Sequence, residues 1–198
     1  MWKFILKKKL LSSIFLILIS CGFSQNNLYV KLLDGNIIKE IELEEYIAGV
    51  ISKEMGETWP TEALKAQAVV SRTYLLWKKE TNKNNIYDIE NSIYNQVFGK
   101  CKSEKIKTAV NSTIGEILTT TDGKIVPVYF HSCCGGKTTN PSQVWGGSAP
   151  FNFSIKDAFC EESPYFLWEK RISKKHLSEI FGIKVEKIEI VEKDESDR

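Results

Sequence analysis

The sequence predicts an α+β fold, a single compact domain in which antiparallel strands accompany an alanine-rich pair of helices flanking a groove. Two observations carry this. Apolar residues recur at helical spacing across two neighbouring segments between residues 43 and 79. Strand-like runs flank turn signals on either side of those helices, at Asp34-Gly35 and Asp122-Gly123.

The elements follow in order. Residues 27–41 read as a hairpin, with Leu28-Tyr29-Val30 as its first strand and Ile37-Ile38 opening the return. Leu43 to Met55 is the first helix, broken by Gly56. Pro60 stands just inside the next helix start, where its missing N–H costs little, and Glu62 to Lys79 forms that helix. Ala63, Ala66, Ala68 and Ser71 allow close packing, while Leu64, Val69, Tyr74 and Leu75 supply core bulk. Residues 81–86 are a polar loop, 87–98 are extended or irregular, and 102–111 form a third helix. Residues 115–119 and 125–131 read as a second hairpin, and 133–150 as a long polar loop. Beyond it the pattern predicts a strand over 164–171, a short helix over 174–181 and a strand over 184–191. That last strand lacks an evident partner, as expected of a shortened form of something longer.

Residues 1–25 stand apart from the fold. Lys3, Lys7, Lys8 and Lys9 precede an apolar run from Leu10 to Ile19, too short to span a bilayer, so the segment reads as an export signal. Two cleavage routes fit. Leu18-Ile19-Ser20-Cys21 reads as a lipobox, leaving Cys21 lipidated and the chain anchored to a membrane; Gly22-Phe23-Ser24-Gln25 reads as an ordinary signal-peptidase site. Residues 26–193 then form the domain and 194–198 a charged tail. Overall charge misleads: 27 basic against 25 acidic residues give net +2, which becomes net −2 once the four leader lysines are removed. Such a chain carries no nucleic-acid signature. No dinucleotide or P-loop pattern is present either, so no cofactor is expected.

Five cysteines occur, and Cys101, Cys133, Cys134 and Cys160 survive cleavage after Ser24. An oxidising compartment favours disulfides, and the preferred bridge joins Cys134 to Cys160. Cys101 pairs with Cys133 or stays free.

The residue of greatest chemical interest is Glu54. It falls one turn after Val50, on the face carrying Ile47, Val50, Ile51 and Met55. A carboxylate there must be paired, hydrogen-bonded or partly protonated. Periodicity leaves two readings open, a solvated glutamate at a fraying helix end or a general acid of raised proton affinity. His131 ends an apolar strand and is followed by Ser132, Cys133, Cys134, Gly135 and Gly136. It reads as a metal ligand, a base for a cysteine, a clamp in a cleft, or a hydrogen-bonded strand end. Its spacing to the thiols matches no usual zinc pattern, so no metal is expected. Trp145 lies in a polar loop with Thr138, Thr139, Asn140, Ser142 and Gln143. There it either anchors the loop or stacks on sugar faces, with hydroxyls and amides beside it.

Several strings resemble one family. Tyr46-x-x-Gly-Val followed by Glu54-Met55 is similar to its first signature, and WPTEALKAQAVVSRTY from Trp59 to Tyr74 extends the match. Phe130-His131-Ser132-x-Cys134-Gly135-Gly136-x-Thr138 with Val144-Trp145 resembles a second block, and Ser163-Pro164 with Trp168 a third. These identify residues 27–193 as resembling the SpoIID/LytB family of exported cell-wall proteins. The resemblance implies a lytic transglycosylase acting on peptidoglycan glycan strands stripped of stem peptides, or a noncatalytic enhancer of a cell-wall amidase. In the first case Glu54 is the single acid and base. It protonates the oxygen between N-acetylmuramic acid and N-acetylglucosamine, then takes the proton of the C6 hydroxyl that closes on C1, leaving a 1,6-anhydro end. Gln96, His131, Ser132, Gly135, Gly136, Thr138 and Trp145 are then substrate-binding residues around a glycan groove. This chain departs from the family pattern in three ways. Gly56 replaces the proline that often follows Glu-Met. Residues 88–96 lack the cysteine and histidine ligands that some relatives carry. The chain also stops where many relatives continue.

Overall fold

The computed structural model describes residues 17–18, 28–147, 151, 153–189 and 191–192. The expected leader with Cys21 and the expected charged tail fall outside them, apart from the pair Ile17–Leu18. The chain divides into two compact units, residues 1–129 and 130–198, and mixes several helices with a small mixed sheet.

In the first unit Ile17–Leu18 (β1) precedes Tyr29–Asp34 (β2) and Ile37–Glu42 (β3). These last two form the expected hairpin, antiparallel from Tyr29 opposite Glu42 to Asp34 opposite Ile37. Gly35 takes φ +62° at the turn, a conformation that suits a residue without a side chain. Helices Leu43–Glu54 (α1) and Thr61–Thr81 (α2) follow, then Ile89–Glu90 (β4), Glu104–Asn111 (α3) and Leu118–Thr119 (β5). Strand β4 lies parallel to β2, so the sheet in the order β3-β2-β4 is mixed rather than purely antiparallel.

Helix α1 starts because the Glu42 carboxylate accepts from the Glu45 backbone N–H at 2.9 Å, satisfying one orphan donor. Its middle is buried all round, from Tyr46 to Ile51. That makes α1 the central helix, packed with Val30, Leu32, Leu64, Ala68, Leu75, Ile89, Ile106 and Val110. The small-residue face of α2 is narrower than the composition suggests. Ala68 and Ser71 are buried, Ala63 is half-buried and Ala66 is exposed.

The same face carries a charge that hydrophobic periodicity does not anticipate. Arg72 is 1% exposed. Its guanidinium makes two bonds to the Glu44 carboxylate, at 3.0 and 2.5 Å, and donates to the Glu116 carbonyl at 3.0 Å. It also reaches the Val110 carbonyl at 3.4 Å. One side chain thus ties α1, α2, the end of α3 and the segment leading to β5. Thr73 beside it accepts from the Leu118 N–H at 2.9 Å, fixing β5 itself.

The second hairpin is much shorter than expected. Strand β5 pairs with β1, and its link to the returning segment is a single bridge, Thr119 opposite Ile125. Pro127 lies within that return and cannot donate to a ladder, which accounts for the early stop.

The second unit holds a short helix Pro141–Trp145 (α4) inside the expected loop, a 3₁₀ turn at Ala158–Glu162, and Lys174–Phe181 (α5). Asn140 caps α4 and Ser173 caps α5 through their side-chain oxygens. The strands expected over 164–171 and 184–191 do not form among the described residues. No neighbouring edge pairs with them, and the period-2 pattern alone cannot hold a strand.

Breaking a buried ion pair leaves an uncompensated charge. Arg72→Ala is therefore expected to destabilise the protein by about 3–5 kcal/mol. Replacing both partners, as Arg72→Met with Glu44→Leu, should recover much of that loss. Urea denaturation followed by helical circular dichroism reads both; a loss under about 1 kcal/mol for the single variant, as for an exposed pair, would contradict the role given to Arg72.

Candidate functional site

The first candidate cluster forms where α1 leaves the core. Glu54 is the last residue of the helix and is exposed, not seated on the apolar face as its spacing suggests. Ile47, Val50 and Ile51 are fully buried and Met55 packs against the core, but Glu54 between them points to solvent. The helix ends there because Gly56, at φ +76°, turns the chain and returns its N–H to the Ile51 carbonyl at 3.2 Å. A proline could neither adopt that φ nor donate that bond, so Gly56 gives this helix its own defined stop.

Although the residue is exposed, partial desolvation still pushes the Glu54 carboxyl above its ordinary value, and a hydrogen bond from the Val97 backbone opposes this. The two effects act on opposite forms. Desolvation favours the neutral acid, whereas the N–H donor favours the carboxylate; the net direction is upward.

Val97 is held there by the segment around it. Gln96 is 1% exposed, and both ends of its amide are used inside the protein. It accepts from the Tyr46 hydroxyl at 3.2 Å and donates to the Ser71 carbonyl at 3.1 Å. Phe98 stacks on Tyr46 with ring centroids 5.4 Å apart. Burial pushes the Tyr46 phenol strongly up, so it stays a proton donor to Gln96. The Asn91 side chain accepts from the Phe98 N–H at 2.8 Å and donates to Asp34 at 3.0 Å, closing the loop over 91–98. Gly49 makes room for all of this. A Cβ on it would lie 2.3 Å from the Phe98 ring and 2.5 Å from the Gly99 carbonyl oxygen.

The second cluster lies wholly within residues 130–198. His131 and Ser132 are exposed. Gly135 and Gly136 take φ +65° and +97°, turning the chain so that the Gly136 carbonyl accepts from the Asp157 N–H at 2.9 Å. The Thr138 N–H donates to the Ile155 carbonyl at 2.9 Å, and its hydroxyl accepts from the Ile155 N–H at 2.8 Å. This ribbon brings the Cys134 and Cys160 sulfurs to 3.2 Å, longer than the roughly 2.05 Å of a disulfide. Asp157 meets both sulfurs. Trp145 stands at the end of α4 and is 62% exposed.

The structure thus groups Glu54 and Gln96 within the first unit. It groups His131, Ser132, Gly135, Gly136, Thr138, Cys134 and Cys160 around one loop of the second. The sequence reading overlooked Val97, Asn91 and Asp157. Two signals were available. A glycine in the middle of a buried helix usually marks a close approach, and Asp157 stands three residues before Cys160.

Residues 34–120 match the family described as SpoIID, stage II sporulation protein. The chain is 29% identical over 167 residues to the stage II sporulation protein D of Bacillus subtilis (strain 168), covering 75% of this chain and 48% of that protein. It is 32% identical over 132 residues to the amidase enhancer of the same strain, covering 66% of this chain and 17% of that protein. An uncharacterised protein of Brachyspira hyodysenteriae is 36% identical over 127 residues, covering 63% and 34%. The chain belongs to the SpoIID/LytB family, and it spans less than half the length of each of these three relatives.

The close approach at Gly49 makes a direct prediction. Gly49→Ala forces Phe98 and Gly99 off α1, and is expected to cost about 1–3 kcal/mol, the usual range for overpacking. It should also loosen the Val97 amide, read as faster hydrogen exchange at residues 96–99 with α3 unchanged. Unaltered exchange across 96–99 would contradict the close packing described for this segment.

Proposed function

We propose that this protein works at the cell wall as a peptidoglycan-binding partner that enhances a cell-wall amidase. The observation that carries this reading is the match to a relative named as an amidase enhancer, across 66% of this chain. The disposition of the second cluster supports it. The half-exposed loop around Gly135 and Gly136 and the exposed Trp145 offer an aromatic face with hydroxyl and amide groups. Such a surface suits the apolar faces and hydroxyls of a glycan. His131, Ser132, Thr138 and Trp145 are the binding residues in this reading, while Gln96 acts as a positioning residue because its amide is consumed within the core. Export by the segment over 1–25, with or without a lipid on Cys21, would bring the domain to its substrate. Among the described residues no helix is long and apolar enough to cross a membrane.

One observation favours a second reading. The raised proton affinity of Glu54 is what a lytic transglycosylase needs from its single general acid. In that reading the carboxyl protonates the glycosidic oxygen and then accepts the C6 hydroxyl proton. The exposed, helix-end placement of Glu54 argues for the binding reading, because a general acid works best in a site that excludes water.

Incubating the protein with intact sacculi and a cell-wall amidase, and in parallel with amidase-stripped glycan strands alone, separates the two. The binding reading expects faster amidase turnover, retained by Glu54→Gln and lost by Trp145→Ala, with no new ends on the stripped strands. Anhydromuramic ends from the wild type, reduced about 10²–10⁴-fold in Glu54→Gln, would replace it with the transglycosylase reading.

A further inference from the structure

The loop that carries the Gly-Gly pair builds a cluster that glycan binding does not explain. Cys134 Sγ, Cys160 Sγ and Asp157 Oδ2 form a nearly equilateral triangle with sides of 3.2, 3.3 and 3.4 Å. A zinc-like ion sits about 2.3 Å from sulfur and about 2.0–2.2 Å from a carboxylate oxygen. Those lengths place such an ion about 1.2 Å out of the plane of this triangle, and a small spreading of the three ligands opens it to a tetrahedral site with one position remaining. The Cys133 thiol meets both Cys160 and Ser163, and its side chain has to turn toward the triangle to become a fourth ligand, since the mutually close group is Cys134, Asp157 and Cys160.

The backbone around these atoms is arranged for anionic ligands. The Cys134 N–H points at the Cys160 sulfur at 3.3 Å, and the Gly135 N–H at the Cys133 sulfur at 3.4 Å. The Phe159 N–H occupies Asp157 Oδ1 at 2.9 Å, which turns Oδ2 toward the sulfurs. Outer hydrogen bonds of this kind orient metal ligands and stabilise their charged forms.

We propose that Cys134, Cys160 and Asp157, completed by Cys133, bind one thiophilic divalent metal ion of the zinc class. Sulfur ligands with a single carboxylate select zinc, cobalt or cadmium over magnesium or calcium. Binding releases one proton from each ligating thiol, and it excludes a Cys134–Cys160 disulfide, which would use the same sulfurs. The site is independent of whether the protein enhances an amidase or cleaves glycan strands.

The test titrates Co²⁺ into the full chain in its exported form, after reduction, and follows the sulfur-to-cobalt charge-transfer band in the near ultraviolet. One Co²⁺ per chain is expected, with a band that Zn²⁺ abolishes by displacement. Cys160→Ser is expected to lose at least about 10-fold in affinity. Asp157→Asn should weaken binding while keeping the band, and Cys133→Ser should reduce its intensity. Cys101→Ser is the control that leaves the titration unchanged. Circular dichroism of α1 and α2 confirms that each variant is folded. Failure of the reduced, folded wild type to give the band overturns the proposal. So does a Cys134–Cys160 disulfide found by peptide mapping of protein isolated from its own compartment.

Discussion

The buried Arg72–Glu44 pair is the constraint on which the first unit depends. A guanidinium that is 1% exposed cannot be left unsatisfied, so every element near it must supply an acceptor in the right place. Glu44 supplies two from the first turn of α1, Glu116 one from the approach to β5, and Val110 one from the end of α3. Arginine suits this role because its planar fork keeps its charge and donates in several directions at once. Apolar packing would tolerate small rotations of α1 against α2. The fork tolerates few, and in that way it specifies how the central helix lies.

The orientation of α1 then decides where Glu54 emerges. With Glu44 held at one end, the run from Tyr46 to Ile51 is buried all round, and Glu54 emerges into solvent at the other end. Tyr46 and Gly49, on the same helix, seat the segment 96–99 through a hydrogen bond, a ring stack and a missing side chain. The Val97 amide is thereby presented to the carboxyl. Helix position and loop seating thus set the carboxyl's surroundings, in which partial burial raises its proton affinity and the Val97 N–H opposes that rise.

Much of this was legible in the sequence, and the exceptions have physical reasons. The hairpin at Gly35, the helices and the core residues followed from periodicity and turn chemistry, because those signals are local. Glu54's exposure did not, since periodicity says which face a residue shares but not where the core ends. Arg72 resembled any helical surface arginine until tertiary partners were known. The second hairpin failed at Pro127, a residue that was visible but outweighed in the reading by the apolar run around it. The strands expected in 164–171 and 184–191 needed partners that no local pattern can supply. The binding residues assigned by resemblance divide in the structure: Gln96 is consumed by the core, whereas Trp145 and His131 face outward.

The family's signature strings read differently in this light. In the stretch ending Arg72-Thr73-Tyr74, the first two side chains are spent on holding α3 and β5, so that part of the signature encodes architecture. Glu54 and the loop around Cys134 take no part in that network. The central claim is that partial burial raises the proton affinity of an exposed glutamate and outweighs the opposing Val97 N–H donor presented by the seated 96–99 segment. A folded-state value above the unfolded one gives a stability contribution that is complete at low pH and lost as pH rises through the folded value. Carbon-detected NMR titration of the Glu54 side-chain carboxyl tests this most directly. The account predicts a midpoint above the ordinary value of 4.5. A midpoint at or below 4.5 would contradict it, and would leave Glu54 a solvated helix-end carboxylate.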